Sequence, residues 1–129
     1  MNSKKIPLNK YHFVYFKIRV QYWIDYFGLT EWSCSFEFED NTKVNARVWY
    51  DCESYTCKFY LAKNFSEDDL IEEKLETYID KCAFHEVFHL LLSEFSLLAS
   101  KRYCTQSQLD AAEEKFVRKM ENLVWNKLV

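Results

Sequence analysis

One glycine, Gly28, and one proline, Pro7, are all that 129 residues contain of the two residue types that make the sharpest turns. A chain so short of them must be built of long elements with few tight reversals. Its length suits one domain over residues 1–129, with a real core and no room for a second. The residues are 49% apolar and 19% aromatic, too rich for a disordered chain. The net charge of −3 comes from well-mixed acids and bases. It gives no basic stripe of the kind a nucleic-acid surface needs, so nucleic acid is a disfavoured partner.

The opening MNSKKIPLNK is polar and basic, and charges at Lys17, Arg19 and Asp25 interrupt the apolar stretch behind it. No small-residue cleavage site follows. The expectation is neither a signal peptide nor a membrane span. Five cysteines (Cys34, Cys52, Cys57, Cys82, Cys104) fall at irregular spacings. An odd number without a pattern reads as free thiols in a reducing cytoplasm. Cys52 and Cys57 flank a turn, but no second ligand pair lies nearby to make them a metal site.

Residues 8 to 27 carry Phe13, Phe16, Val20, Trp23 and Phe27 at helical spacing and stop at Gly28 and Leu29, a helix C-terminal signal. Trp32, Cys34, Phe36 and Phe38 alternate with polar residues as a half-buried strand does. A turn at Asp40 and Asn41 leads to a second alternating run, Val44, Ala46 and Val48. A turn at 51–54 leads to a third, Cys57, Phe59 and Leu61. Short turns predict an antiparallel three-stranded meander. Ser66, followed by acids, opens a helix that meets no breaker until about Ser100. After the polar KRYCTQS, a last helix spans about 108–127. Its expected apolar stripe is Leu109, Glu113, Phe116, Val117, Met120, Leu123 and Val124. The order predicts an α+β domain, a small antiparallel sheet packed on helices.

Two of the three histidines fall in FHEVFHLLL, residues 84–92. His85 and His89, four apart on a helix, lie about 40° apart around it and about 6 Å apart along it. Both imidazoles can reach one metal ion. Glu86 projects beside that ion and can take a proton from its water, whose pKa the metal lowers towards about 7. This is the chemistry of H-E-x-x-H. The opposing reading is a buried helix whose histidines bond to backbone or acids. It must explain a polar trio inside an otherwise apolar run, where uncompensated polar burial is costly.

A catalytic zinc needs a third protein ligand and an open position. Phe95 and Leu92 stand where a metzincin carries its third histidine and its glycine, which excludes that pattern. Glu94 is about 180° round the helix from His85. Glu113, on the expected apolar stripe of the last helix, is the candidate third ligand. Glu114 is the alternative, since a one-residue phase shift exchanges them.

With GLTEWSCSFEF, FHEVFHLLL and AAEEKFVRKMENLV in this order, the chain resembles short zincins of the gluzincin kind, the minigluzincins. It is also similar to SprT-like and ImmA/IrrE-like metallopeptidases of phages and mobile elements. The resemblance implies a zincin-like fold and a cytoplasmic zinc peptidase, with His85, His89 and a helix glutamate as ligands and Glu86 as general base. It also implies a peptide or protein substrate lying antiparallel along the strand before the active-site helix, here Cys57 to Ala62. Two departures bear on catalysis. Val117 and Arg118 stand where the family places an acid four residues after the ligand glutamate. No histidine follows the motif to stabilise an oxyanion, for which Tyr103 is the substitute candidate. The competing functions are a non-catalytic module stabilised by zinc, with Cys82 closing the site, and a DNA-associated protease, which the acidic balance and the lack of a zinc ribbon disfavour.

Overall fold

Asn9 starts the first helix with a reciprocal cap. Its side-chain oxygen accepts the His12 backbone N–H at 3.1 Å, and His12 Nδ1 accepts the Asn9 N–H at 3.0 Å. Two donors that a helix start leaves open are thereby satisfied. Helix α1 (Lys10–Tyr26) buries Phe16, Val20 and Ile24. It ends as the sequence predicts, with Gly28 in the left-handed region at φ 68°. The Leu29 N–H then closes back on the Ile24 carbonyl at 2.9 Å. The computed structural model describes residues 4–40, 43–70, 74–101 and 104–128, with side chains through 125.

The three expected strands form, as β2 (Ser33–Glu39), β3 (Ala46–Asp51) and β4 (Thr56–Ala62). A short strand β1 (Lys5–Pro7) precedes α1, and β5 (Asn64–Ser66) follows β4. The expected meander is corrected. The sheet order is β2-β4-β3, with β4 antiparallel to β3 but parallel to β2. Burial accounts for the choice of centre. Cys57, Phe59, Leu61 and Ala62 of β4 are all buried, whereas β2 and β3 carry the acids and the arginine that suit edges. Asp51 makes the following turn by accepting the Glu53 N–H and the Ser54 hydroxyl, both at 3.0 Å. Of the Asp40–Asn41 turn, Asn41 lies outside the described residues.

Helices α1 and α2 (Leu75–Leu91) cover one face of this sheet. Phe13 of α1 stacks on Phe38 of β2 at 5.0 Å, and Tyr78 of α2 meets Phe65 of β5 edge-on at 5.5 Å. Asp80 joins the two helices, its Oδ1 accepting from Arg19 Nε at 2.9 Å and Trp23 Nε1 at 2.8 Å. Phe84 and Phe88 close the seam against Trp23 and Phe27.

The helix expected from Ser66 to Ser100 is also corrected. Residues 64–66 are held extended by antiparallel pairing with β1, and the Glu67 N–H reaches the Lys4 carbonyl at 2.9 Å. Tertiary pairing outweighs the local capping signal. Ser66 opens only the 3₁₀ turn Glu67–Leu70. The helical run also breaks at Leu92, and α3 (Ser93–Ser100) leaves at 47° to α2. Among the described residues no single helix is long and apolar enough to cross a membrane. α2 and α3 reach that length and apolarity only as this bent pair.

Helix α4 (Gln106–Leu128) lies one step out of the expected phase. Ala112 is buried, Phe116 and Leu123 pack on the core, and Phe116 meets Phe95 of α3 at 5.5 Å. Val117 is 48% exposed and Val124 54%. Lysines explain the shift. Lys119 Nζ reaches the Gly28 carbonyl at 3.0 Å and Lys115 Nζ reaches Glu94 at 3.1 Å, so two cations share the inward face with the apolar residues. Phe116→Ala is expected to cost about 2 kcal/mol in denaturant unfolding, and Val117→Ala about 0.5 kcal/mol or less. Equal losses would place the helix in the other phase.

Candidate metal centre

Helix α2 carries two chemistries on adjoining faces. Ile79, Ala83, Val87 and Leu90 point into the core, and Glu86 falls in their phase, only 7% exposed. His85 and His89 sit one step round, exposed. Their rings meet edge to face at 4.8 Å, with the two Nε2 atoms 3.1 Å apart. Two nitrogens bound at about 2.0–2.1 Å to one tetrahedral zinc stand about 3.3 Å apart. The pair is therefore close to ligating separation.

One ligand atom from each of His85, Glu86 and His89 lies within 4.8 Å of the other two. Among the described residues this is the group able to hold a metal ion. Glu86 Oε2 is buried without a hydrogen-bond partner among those residues. Burial pushes its carboxyl from 4.5 up to about 7. Two convergent imidazoles with a carboxylate oxygen of Glu86 within 4.8 Å fit a divalent cation, whose charge would also offset the burial of that carboxyl group. This donor set suits several divalent ions, zinc included.

His85 and Glu86 border an open cleft of about 500 Å³, a size typical of ligand sites. Tyr78 and Cys82 line it from α2, and Asn45 and Asp69 face them. The Asn45 side-chain amide donates to both the Tyr78 hydroxyl and Asp69 Oδ2 at 2.9 Å, which fixes the cleft wall. Burial raises the Tyr78 hydroxyl above its ordinary value. Burial, reinforced by Glu86, pushes the Cys82 thiol up to about 12. Cys82 is thus a neutral thiol at ordinary pH, and it lies outside the metal-capable group.

Glu113 and Glu114, expected near the site, both stand exposed on α4. Glu113 does so because the helix turns Ala112 and Phe116 inward instead. Its expected place on a buried stripe is corrected, and it lies outside the metal-capable group of His85, Glu86 and His89. Glu114 is likewise exposed and pairs with Arg118 at 3.1 Å. Tyr103 lies outside the described residues. The strand expected to take substrate, Cys57 to Ala62, is the central β4. Both its edges are already paired, so no extended chain can join it. The edge on the α2 side belongs to β3. Sequence reasoning missed Tyr78, Asn45 and Asp69. Tyr78 had a readable signal, standing seven residues before His85, two turns back on nearly the same face. Asn45 and Asp69 arrive only through the tertiary fold.

No protein-family model matches the chain, and neither a curated protein nor a solved structure matches it.

The buried carboxyl group has a stability consequence in the metal-free chain. Its folded pKa, about 7, lies above the ordinary 4.5. The protonated form therefore favours folding. That contribution is full below about 4.5 and is lost as pH rises through about 7. With chelator present, unfolding stability should fall by about 2 kcal/mol across this window and fall much less in Glu86→Gln. An unchanged slope in the variant would show that Glu86 is not the group responsible.

Proposed function

We propose that the chain is a zinc-dependent peptidase of zincin type. What carries the reading is the geometry of one helix: two imidazole Nε2 atoms 3.1 Å apart with a carboxylate oxygen of the buried Glu86 within 4.8 Å, at the wall of an open cleft. His85 and His89 would hold the metal. When bound, the metal supplies a Lewis acid that polarises a carbonyl and acidifies water. Glu86 would be the general base, taking the proton of the attacking water and handing it to the leaving amine. The core packing of α2 through Ile79, Ala83, Val87 and Leu90 fixes the carboxyl group in place.

The order of α1, sheet, H-E-x-x-H helix and C-terminal helix supports the zincin reading. The substrate would be an extended peptide added to the outer edge of β3 (Ala46–Asp51), which borders α2 and leads out of the cleft wall at Asn45 and Ala46. Main-chain hydrogen bonds give such pairing affinity with little sequence choice. A second reading, a non-catalytic module stabilised by zinc, is favoured by the composition of the metal-capable group, which holds His85, Glu86 and His89 without Glu113. Under that reading, removing the metal unfolds the chain.

Elemental mass spectrometry on protein purified without an affinity tag should find about one zinc per chain, lost in His85→Ala. Glu86→Gln should keep the metal and lower cleavage of an unstructured protein substrate by about 10²- to 10⁴-fold. Loss of metal in Glu86→Gln would make Glu86 a ligand rather than the base. Absence of zinc after reconstitution would return the histidines to a structural role.

A further inference from the structure

The sheet order puts two cysteines side by side that the sequence keeps far apart. Cys34 of β2 and Cys57 of β4 are direct register partners in the parallel pair, so their side chains leave the same face of the sheet. Neighbouring strands run about 4.8 Å apart, inside the about 4.4–6.8 Å separation that a disulfide spans between α-carbons. The two sulfurs are 3.1 Å apart, with the Cys57 thiol donating to Cys34. Both cysteines are free thiols. Cys57 is 2% exposed, whereas Cys34 is half-buried on an edge strand with β4 on one side only.

We propose that Cys34 and Cys57 form a reversible redox site, closing a cross-strand disulfide when the chain meets a low-molecular-weight disulfide such as oxidised glutathione. The asymmetry of the pair sets the order of events. Cys34 is the more exposed of the two, and the hydrogen bond from Cys57 favours its thiolate. That thiolate attacks one sulfur of oxidised glutathione, and the S–S bond breaks. One glutathione leaves as a thiolate and takes up a proton. The Cys57 thiol, held protonated by its bond to Cys34 and by burial, loses that bond once Cys34 carries glutathione, gives its proton to solvent and attacks the Cys34 sulfur. The mixed S–S bond breaks, and the second glutathione leaves as a thiolate that takes up a proton. Two protein thiols are oxidised and one disulfide is reduced to two thiols. The product ties the edge strand β2 to the central strand and closes the loop 34–57. No residue of the candidate metal centre takes part in this exchange.

The test is to equilibrate the folded wild-type chain with glutathione buffers of increasing oxidation, quench with acid, alkylate in denaturant and map the peptides. The expected product is a Cys34–Cys57 cross-linked peptide lacking two hydrogens, with Cys52, Cys82 and Cys104 still alkylated. Excess reduced glutathione should reverse it, and thermal melting of the oxidised form should rise by about 5–10 °C. Cys34→Ser should abolish the link and Cys52→Ser should leave it intact. Full alkylation of both residues at the oxidising end would overturn the proposal. So would glutathione remaining on Cys34 without displacement, or a link from Cys57 to another cysteine. Because the decisive reading is made on the wild type, a variant that fails to fold does not blunt it.

Discussion

The burial of the Glu86 carboxyl group on the core face of α2 is the constraint that the neighbouring structure has to satisfy. An apolar side chain in that phase would pack against Ala83, Val87 and Leu90 without cost. A carboxyl group with an unpartnered oxygen costs on the order of 1–3 kcal/mol. Such a cost persists when the surrounding packing over-determines the position. Here it does: α2 is held by the Asp80 bonds to Arg19 and Trp23, by the aromatic seam of Phe84 and Phe88, and by the sheet beneath. The two histidines converge through their four-residue spacing, and the anchoring of α2 decides which way the pair faces.

Local signals in the sequence located what local physics decides. Gly28 ended α1 because a left-handed residue was needed there. Alternation located β2, β3 and β4 because each buries one face. The four-residue spacing of His85 and His89 was enough to bring their rings together. The order of the strands was not legible. Short turns argue for a meander, but they fix only which strands follow one another in the chain, not which strand takes the centre. Centrality went to β4 because Cys57, Phe59, Leu61 and Ala62 bury more completely than anything β2 or β3 offers. The helix start failed for a similar reason. Ser66 with its acids is a genuine capping signal, outweighed by the pairing of residues 64–66 with a β1 strand that the polar N-terminus did not announce.

The phase of α4 shows how a small error in burial becomes a large error in chemistry. Placing Glu113 on the apolar stripe made it look like a buried acid in need of a cation. The helix instead turns Ala112, Lys115, Phe116 and Lys119 inward, with the lysine stems covering apolar surface and their ammonium groups bonded to Glu94 and the Gly28 carbonyl. A pattern that counts only apolar residues cannot see this, because long cationic side chains occupy inward positions without registering as hydrophobic. The glutamate that does sit buried next to the histidines, Glu86, was legible from its place in the motif alone.

Strand order has a chemical consequence as well as an architectural one. In an antiparallel meander β2 would pair with β3, leaving Cys34 a full strand away from Cys57. Insertion of β4 between them makes Cys34 and Cys57 direct partners and at the same time releases the outer edge of β3 towards α2. One topological choice therefore moves the cysteine pair together on one side of β4 and, among the described residues, leaves the outer edge of β3 without a strand partner on the other. The thiol pair and the histidine pair lie in different parts of the fold, one across β2 and β4 and one along α2.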